Sequence, residues 1–155
     1  MNLGYAGAAR GEIASAEELA VLPADAITVA HGTNCWTRTP HGAALFAEGL
    51  RAFFAIVREG HPGTPIVALS PILRVDAERK ANRLGATLAE LRAAFERVVD
   101  ERIAAGDRRL ALVKGGALVP AGELPDGIHP DDRGHARIAR AVGPVLEAQL
   151  RAASR

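Results

Sequence analysis

The chain has 155 residues, of which 48% are hydrophobic and 24% charged, with a net charge of +1. That is the composition of one folded domain; it excludes a disordered polyelectrolyte and a nucleic-acid binder working through a broad basic face. No apolar run approaches the roughly 18 residues of a membrane span, and the single cysteine, Cys35, excludes an intrachain disulfide and a multi-thiolate metal site.

In chain order, Met1 to Gly4 reads as the tail of a strand entering the loop Gly4-Tyr5-Ala6-Gly7. A short helix follows, with Ser15 and Glu18 in capping-box spacing and Pro23 just past its end. Ala26 to Ala30 is a short apolar run, β-branched in its middle, which suits a buried parallel strand. Thr39-Pro40 opens a longer helix, with Leu45, Phe46, Leu50, Phe53, Phe54 and Val57 on one face and Gly60 as its stop. Pro65 to Ser70 is the next strand, closed by Pro71, and Pro71 to Ala86 has the polar character of a long loop. Thr87 and Glu90 form a second capping box, opening a helix that turns Leu88, Leu91, Phe95, Val98 and Val99 inward. Leu110 to Val113 is a final strand. A glycine-rich loop runs to His129, and Pro130 opens a last helix with Ile138, Val142, Val145 and Leu146 inward. Strands alternating with helices give an α/β fold, a parallel sheet with helices on both faces.

Reactive groups in such sheets gather on loops at the carboxyl ends of strands. That rule selects Gly4 to Gly7, His31 to Trp36, and the loop ending at His129. In Asp126-Gly127-Ile128-His129-Pro130 an aspartate stands three residues before a histidine, with glycine between to permit a tight turn. A hydrolytic base needs such an acceptor on Nδ1, leaving Nε2 free; the same pentapeptide also reads as a plain Asp-Gly turn before a helix. Asn34 offers a side-chain amide to an oxyanion, or else serves a strand-exit turn. The loop to Gly7 offers a backbone N–H, though a pair of glycines alone is a weak signal. His31, His41, His61, His129 and His135 contain no i, i+4 pair of the kind that binds zinc on a helix.

Together these segments resemble, in order and spacing, the SGNH or GDSL esterases and acylhydrolases. Asn2-Leu3-Gly4-Tyr5-Ala6-Gly7 resembles that family's second motif, whose last glycine donates a backbone N–H to the oxyanion hole. Gly32-Thr33-Asn34 resembles the third, whose asparagine donates its amide, and Asp126-Gly127-Ile128-His129-Pro130 resembles the last, which carries the acid and base of the triad. Leu22-Pro23-Ala24-Asp25, Gly60-His61-Pro62, Ser70-Pro71-Ile72 and Thr87-Leu88 are similar to a bacterial branch. The resemblance implies a three-layer α/β/α, flavodoxin-like sheet and hydrolysis of a small acyl ester. It implies catalysis through His129, Asp126, Asn34 and Gly7, with no metal or organic cofactor.

Two departures stand out. His31 and Cys35 flank the third motif where the family more often has an apolar or glycine residue and an aspartate. The family's first motif, which carries the serine nucleophile, precedes the second, and this chain starts at the second. Residues 1–155 therefore read as an SGNH-like domain lacking its first strand and helix, with the missing N-terminal segment as a partner. The three serines offer no substitute: Ser15 reads as a helix cap, Ser70 ends a strand and Ser154 lies near the C-terminus. Two other readings stay open, a thiol nucleophile at Cys35 paired with His129 and a non-catalytic remnant acting as a binding or scaffold domain. Without its central first strand the chain is expected to be poorly stable. As written it carries no secretion signal and reads as cytoplasmic; an upstream segment would leave secretion open.

Overall fold

Three four-residue segments, Ile27–Ala30 (β1), Ile66–Leu69 (β2) and Leu110–Val113 (β3), form a parallel sheet in the order β1-β2-β3. The register places Ile27 opposite Ile66 and Ile66 opposite Leu110. The computed structural model describes residues 1–4 and 7–153. Tyr5 and Ala6 of the N-terminal loop, and Ser154, lie outside the described residues.

Four helices complete the fold: Ile13–Val21 (α1), Ala43–Gly60 (α2), Leu88–Ala104 (α3) and Asp132–Ala153 (α4). The alternation of side chains along each strand divides the sheet into two faces. Ile27, Val29, Ile66, Ala68 and Leu110 join one core with Ala16 of α1, Phe46, Leu50, Phe53, Phe54 and Val57 of α2, and Leu88, Leu91, Phe95, Val98 and Val99 of α3. On the opposite face α4 packs against β2 and β3 and helps cover Val67, which is fully buried. Thr28 and Ala30 of β1 lie beyond that cover and are exposed. The apolar residues of α4 expected to point inward, Ile138, Val142, Val145 and Leu146, are accordingly only half-buried.

The α3 start follows its sequence signature. The Glu90 amide donates to Thr87 Oγ1 at 3.2 Å, and the Thr87 amide donates to Glu90 Oε2 at 2.8 Å. The expected Ser15–Glu18 box does not form, because α1 begins two residues before Ser15, after Glu12, and places Ser15 inside its first turn. Likewise α2 begins at Ala43 instead of Thr39-Pro40, since the His41 amide is drawn to the Cys35 carbonyl at 2.8 Å. Leu45 falls off the buried α2 stripe and is exposed. Met1 to Gly4 form no strand; the Gly4 amide instead bonds Asn2 Oδ1 at 2.8 Å. Pro144 stands inside α4, and because proline has no N–H, the Arg140 carbonyl lacks its usual helical donor.

Candidate active site

The loops leaving the three strands meet on one side of the sheet. Ser70, at the β2 exit, is fully buried. Its Oγ donates to Glu96 Oε1 at 2.8 Å and accepts the Gly115 amide at 2.9 Å, which ties the ends of β2 and β3 to α3. The next residues are held by Arg92, whose guanidinium donates to the Pro71 carbonyl at 2.6 Å and the Ile72 carbonyl at 3.3 Å while pairing with Glu78 at 2.6 Å. Arg92 in turn holds the Glu78 carboxyl below its ordinary pKa.

The β1 exit turns sharply. Gly32, at φ +117°, sits in the left-handed region that only glycine enters freely, and its backbone packs against Phe46 and Pro71. A 3-10 turn, Thr33–Trp36, follows. Asn34 uses its backbone carbonyl there, accepting from Thr37 Oγ1 at 2.8 Å; its side-chain amide has no partner among the described residues.

The third loop carries Asp126 and His129. The Asp126 carboxylate closes a turn on itself: Oδ1 accepts the amides of Ile128 at 2.9 Å and His129 at 2.7 Å, and Oδ2 lies 2.6 Å from His129 Nδ1. Gly127 makes this possible at φ +77°. The His129 ring, followed by the two amides, holds the Asp126 carboxyl well below the usual carboxylate range. Both side chains face solvent, His129 at 78% and Asp126 at 53% exposure, and His129 Nε2 has no partner among the described residues. Asp131, just beyond, caps α4 by accepting the Gly134 amide at 2.9 Å.

A cleft of about 230 Å³ runs between these loops, lined by Asn34, Ser70, Pro71, Ile72, Pro130 and Ile138 among others. Asn34 and the β2 exit are thus brought together. His129 stands next to this lining, adjoining Pro130, and is not part of it. Gly7 also lies outside it, although Ala9 of the same loop contributes; Gly7 is exposed, with φ +71°, and its carbonyl accepts from Arg10 at 3.1 Å.

Cys35 is fully buried, its Sγ 3.5 Å from the Arg10 carbonyl, and burial pushes its thiol up to about 12. It is therefore a protonated thiol at neutral pH, opposed to a nucleophilic role. His61, just after α2, is buried, with Nε2 2.9 Å from the Leu19 carbonyl of α1 and Nδ1 3.3 Å from Thr64 Oγ1. His135 is exposed. Among the described residues no three His, Cys, Asp or Glu side chains gather to hold a metal ion, and no helix is long and apolar enough to cross a membrane.

Sequence reasoning passed over Arg92 and Val75 as parts of this site. Arg92 carries a readable signal, an arginine on the inward face of a helix. Val75 carries none, because it acts through its backbone, donating to the Gly127 carbonyl.

Comparison with known proteins agrees with this architecture. The structure is similar to the salicylyl-acyltransferase of a tetracycline biosynthetic pathway (TM-score 0.75, 26% identity, 90% of this chain and 42% of the other). It also resembles a protein from Bacteroides ovatus described as a GDSL-like lipase (TM-score 0.75, 22% identity, 97% and 43%). A mutant acetyl esterase crystallised with acetate ion shares the fold as well (TM-score 0.74, 19% identity, 96% and 70%). The chain spans less than half the length of the first two. No curated protein matches it by sequence. The profile of one family does, over residues 1–137, a stretch that includes all three strands and the Asp126–His129 turn, and the chain belongs to the GDSL-like lipase/acylhydrolase family.

Proposed function

We propose that this chain supplies the acid, the base and two oxyanion donors of a carboxyl-ester hydrolase acting on a small acyl ester. The observation that carries the reading is the 2.6 Å contact from Asp126 to His129 Nδ1, with Nε2 left free. Asp126 fixes the tautomer, and His129 takes the proton of an attacking hydroxyl and returns it to the leaving alcohol. The Asn34 amide, with the Gly7 N–H, stabilises the charge that develops on the acyl oxygen.

A second reading, a binding or scaffold domain without catalysis, has an observation of its own. Ser70 Oγ is buried and committed to Glu96, and among the described residues neither Ser70 nor Ser15 makes a hydrogen bond to His129. One experiment separates the two: a short-chain aryl ester assay on the 155-residue chain and on the chain extended by its in-frame upstream sequence. Activity in the extended form alone, lost in His129→Ala, supports the hydrolase. Absence of activity in both forms supports the scaffold.

A further inference from the structure

A second cleft, of about 380 Å³, lies between the end of the 3-10 turn and the loop after β2. One wall is Trp36, Thr37 and Arg38; the other is Lys80, Ala81, Asn82 and Arg83. Its electrostatics follow from charges already spoken for. The loop from Arg74 to Arg83 contains two acids, Asp76 and Glu78. Asp76 receives Arg74 at 2.8 Å and Glu78 receives Arg92 at 2.6 Å, so both carboxylates neutralise guanidinium groups that are themselves buried. Arg38 and Arg83, both exposed, have no carboxylate partner among the described residues, while Lys80, also exposed, makes no ion pair but lies in the field of the Asp76 carboxylate.

The frame holding these cations is fixed. Trp36 Nε1 donates to the Lys80 carbonyl at 2.8 Å, joining the two walls. The Arg74 guanidinium sits 5.0 Å above the Trp36 ring, a cation–π contact that holds the indole in place. Asn82 donates to the His41 carbonyl at 2.9 Å and accepts the amides of Leu84 and Ala86 at 2.9 and 3.1 Å. Two arginines without a carboxylate partner, and a lysine whose charge is shared with Asp76, stand around a preformed concavity and concentrate an anion there without reorganisation of the backbone.

We propose that this cleft binds the anionic group, phosphate or carboxylate, of a small-molecule ligand. Asn34 and Trp36 belong to one turn, so the cleft would select esters carrying a negative charge. That selection rests on the ester-hydrolase reading; the binding does not.

Trp36 is the only tryptophan in the chain, so its fluorescence reports on the cleft. Inorganic pyrophosphate and, separately, citrate are titrated into the 155-residue chain at constant ionic strength. A saturable change is expected with at least one of them, and the response identifies which anion chemistry fits. Arg38→Gln combined with Arg83→Gln should weaken binding tenfold or more with an unchanged melting temperature. A control pair on α4, Arg133→Gln with Arg140→Gln, removes the same charge and should leave binding unchanged. No saturable response to either anion overturns the proposal, as does an equal loss in both pairs, which would mean net charge alone. In the extended chain, the Arg38→Gln and Arg83→Gln pair should raise KM for 4-acetoxybenzoate fivefold or more over that for phenyl acetate; equal KM changes overturn the selection. Pyrophosphate or citrate binding without any ester hydrolysis leaves the anion cleft standing and removes the hydrolase.

Discussion

The amide of Val75 donates to the carbonyl of Gly127 at 3.0 Å, joining the loop after β2 to the turn that carries Asp126 and His129. Neighbouring residues of that loop line the first cleft through Pro71 and Ile72 and brace Trp36 through Arg74. The Asp126–His129 turn is therefore positioned by a segment some fifty residues earlier, and the two clefts share one support.

Gly127→Ala tests the turn itself. A Cβ there would meet Val75 only at 3.7 Å, so space is available, but φ +77° is not comfortable for alanine. The expected cost is about 1–2 kcal/mol, read as a lowered urea midpoint with unchanged slope. Amide shifts at Ile128 and His129 should accompany it in NMR spectra.

Asn34→Ala should separate chemistry from folding. The Asn34 side chain has no hydrogen-bond partner among the described residues, so thermal melting should not change. In the extended enzyme kcat is expected to fall by about 10²–10³, the usual effect of losing one oxyanion donor. Unchanged turnover would remove Asn34 from the oxyanion hole.

Arg92→Met removes four hydrogen bonds to three groups, taking from Glu78 its guanidinium partner and from the Pro71 carbonyl its donor. A loss of about 3 kcal/mol is expected, measurable by urea denaturation. Arg92→Lys should recover little of it, because one ammonium cannot span Glu78 and two carbonyls.

His31 predicts the pH profile of stability. Its ring packs edge-on to Phe46 and Phe95 at 6.0 and 5.7 Å and tilted against Phe53 at 5.2 Å. Neither ring nitrogen touches solvent or a protein partner among the described residues, and burial lowers its pKa to about 4. The unfolded chain takes up that proton near pH 6.5, whereas the folded chain refuses it until about 4. Stability contributed by the neutral ring is thus complete above pH 6.5 and falls as the pH drops toward 4, by about 3 kcal/mol in all. His31→Leu should flatten this limb and raise the melting temperature at pH 7 by about 2–8 °C. An unaltered acid limb in that variant would show that His31 is not its source.

The strands and the buried stripes of α2 and α3 were readable because each obeys a local rule: short β-branched runs between punctuating residues, or apolar spacing of three and four. Asp126 and His129 were readable for the same reason, lying three residues apart across a glycine. The failures are tertiary. The Ser15–Glu18 pair has the spacing of a cap, but the chain enters the helix earlier, after Glu12. Leu45 is apolar but one position off the stripe that α2 buries. Met1 to Gly4 have strand composition but form no strand, the Gly4 amide turning back to Asn2 Oδ1 instead. The cationic cleft was invisible because Arg38 and Arg83 meet only through the bond from Trp36 to Lys80, forty-four positions apart.

Pro144 divides α4 in a way that its continuous outline conceals. The half before it is anchored: Asp131 caps it, and Arg137 pairs with Glu123 at 2.7 Å. The half after it is half-buried at best and lies beyond residue 137, where the family match ends. With the ladder broken at Arg140, the two halves can open as separate cooperative units. Hydrogen exchange should then find fast amides after Pro144 beside protected ones at Ala136 to Arg140. Residues 145–153 could fray while the Asp126–His129 turn keeps its geometry.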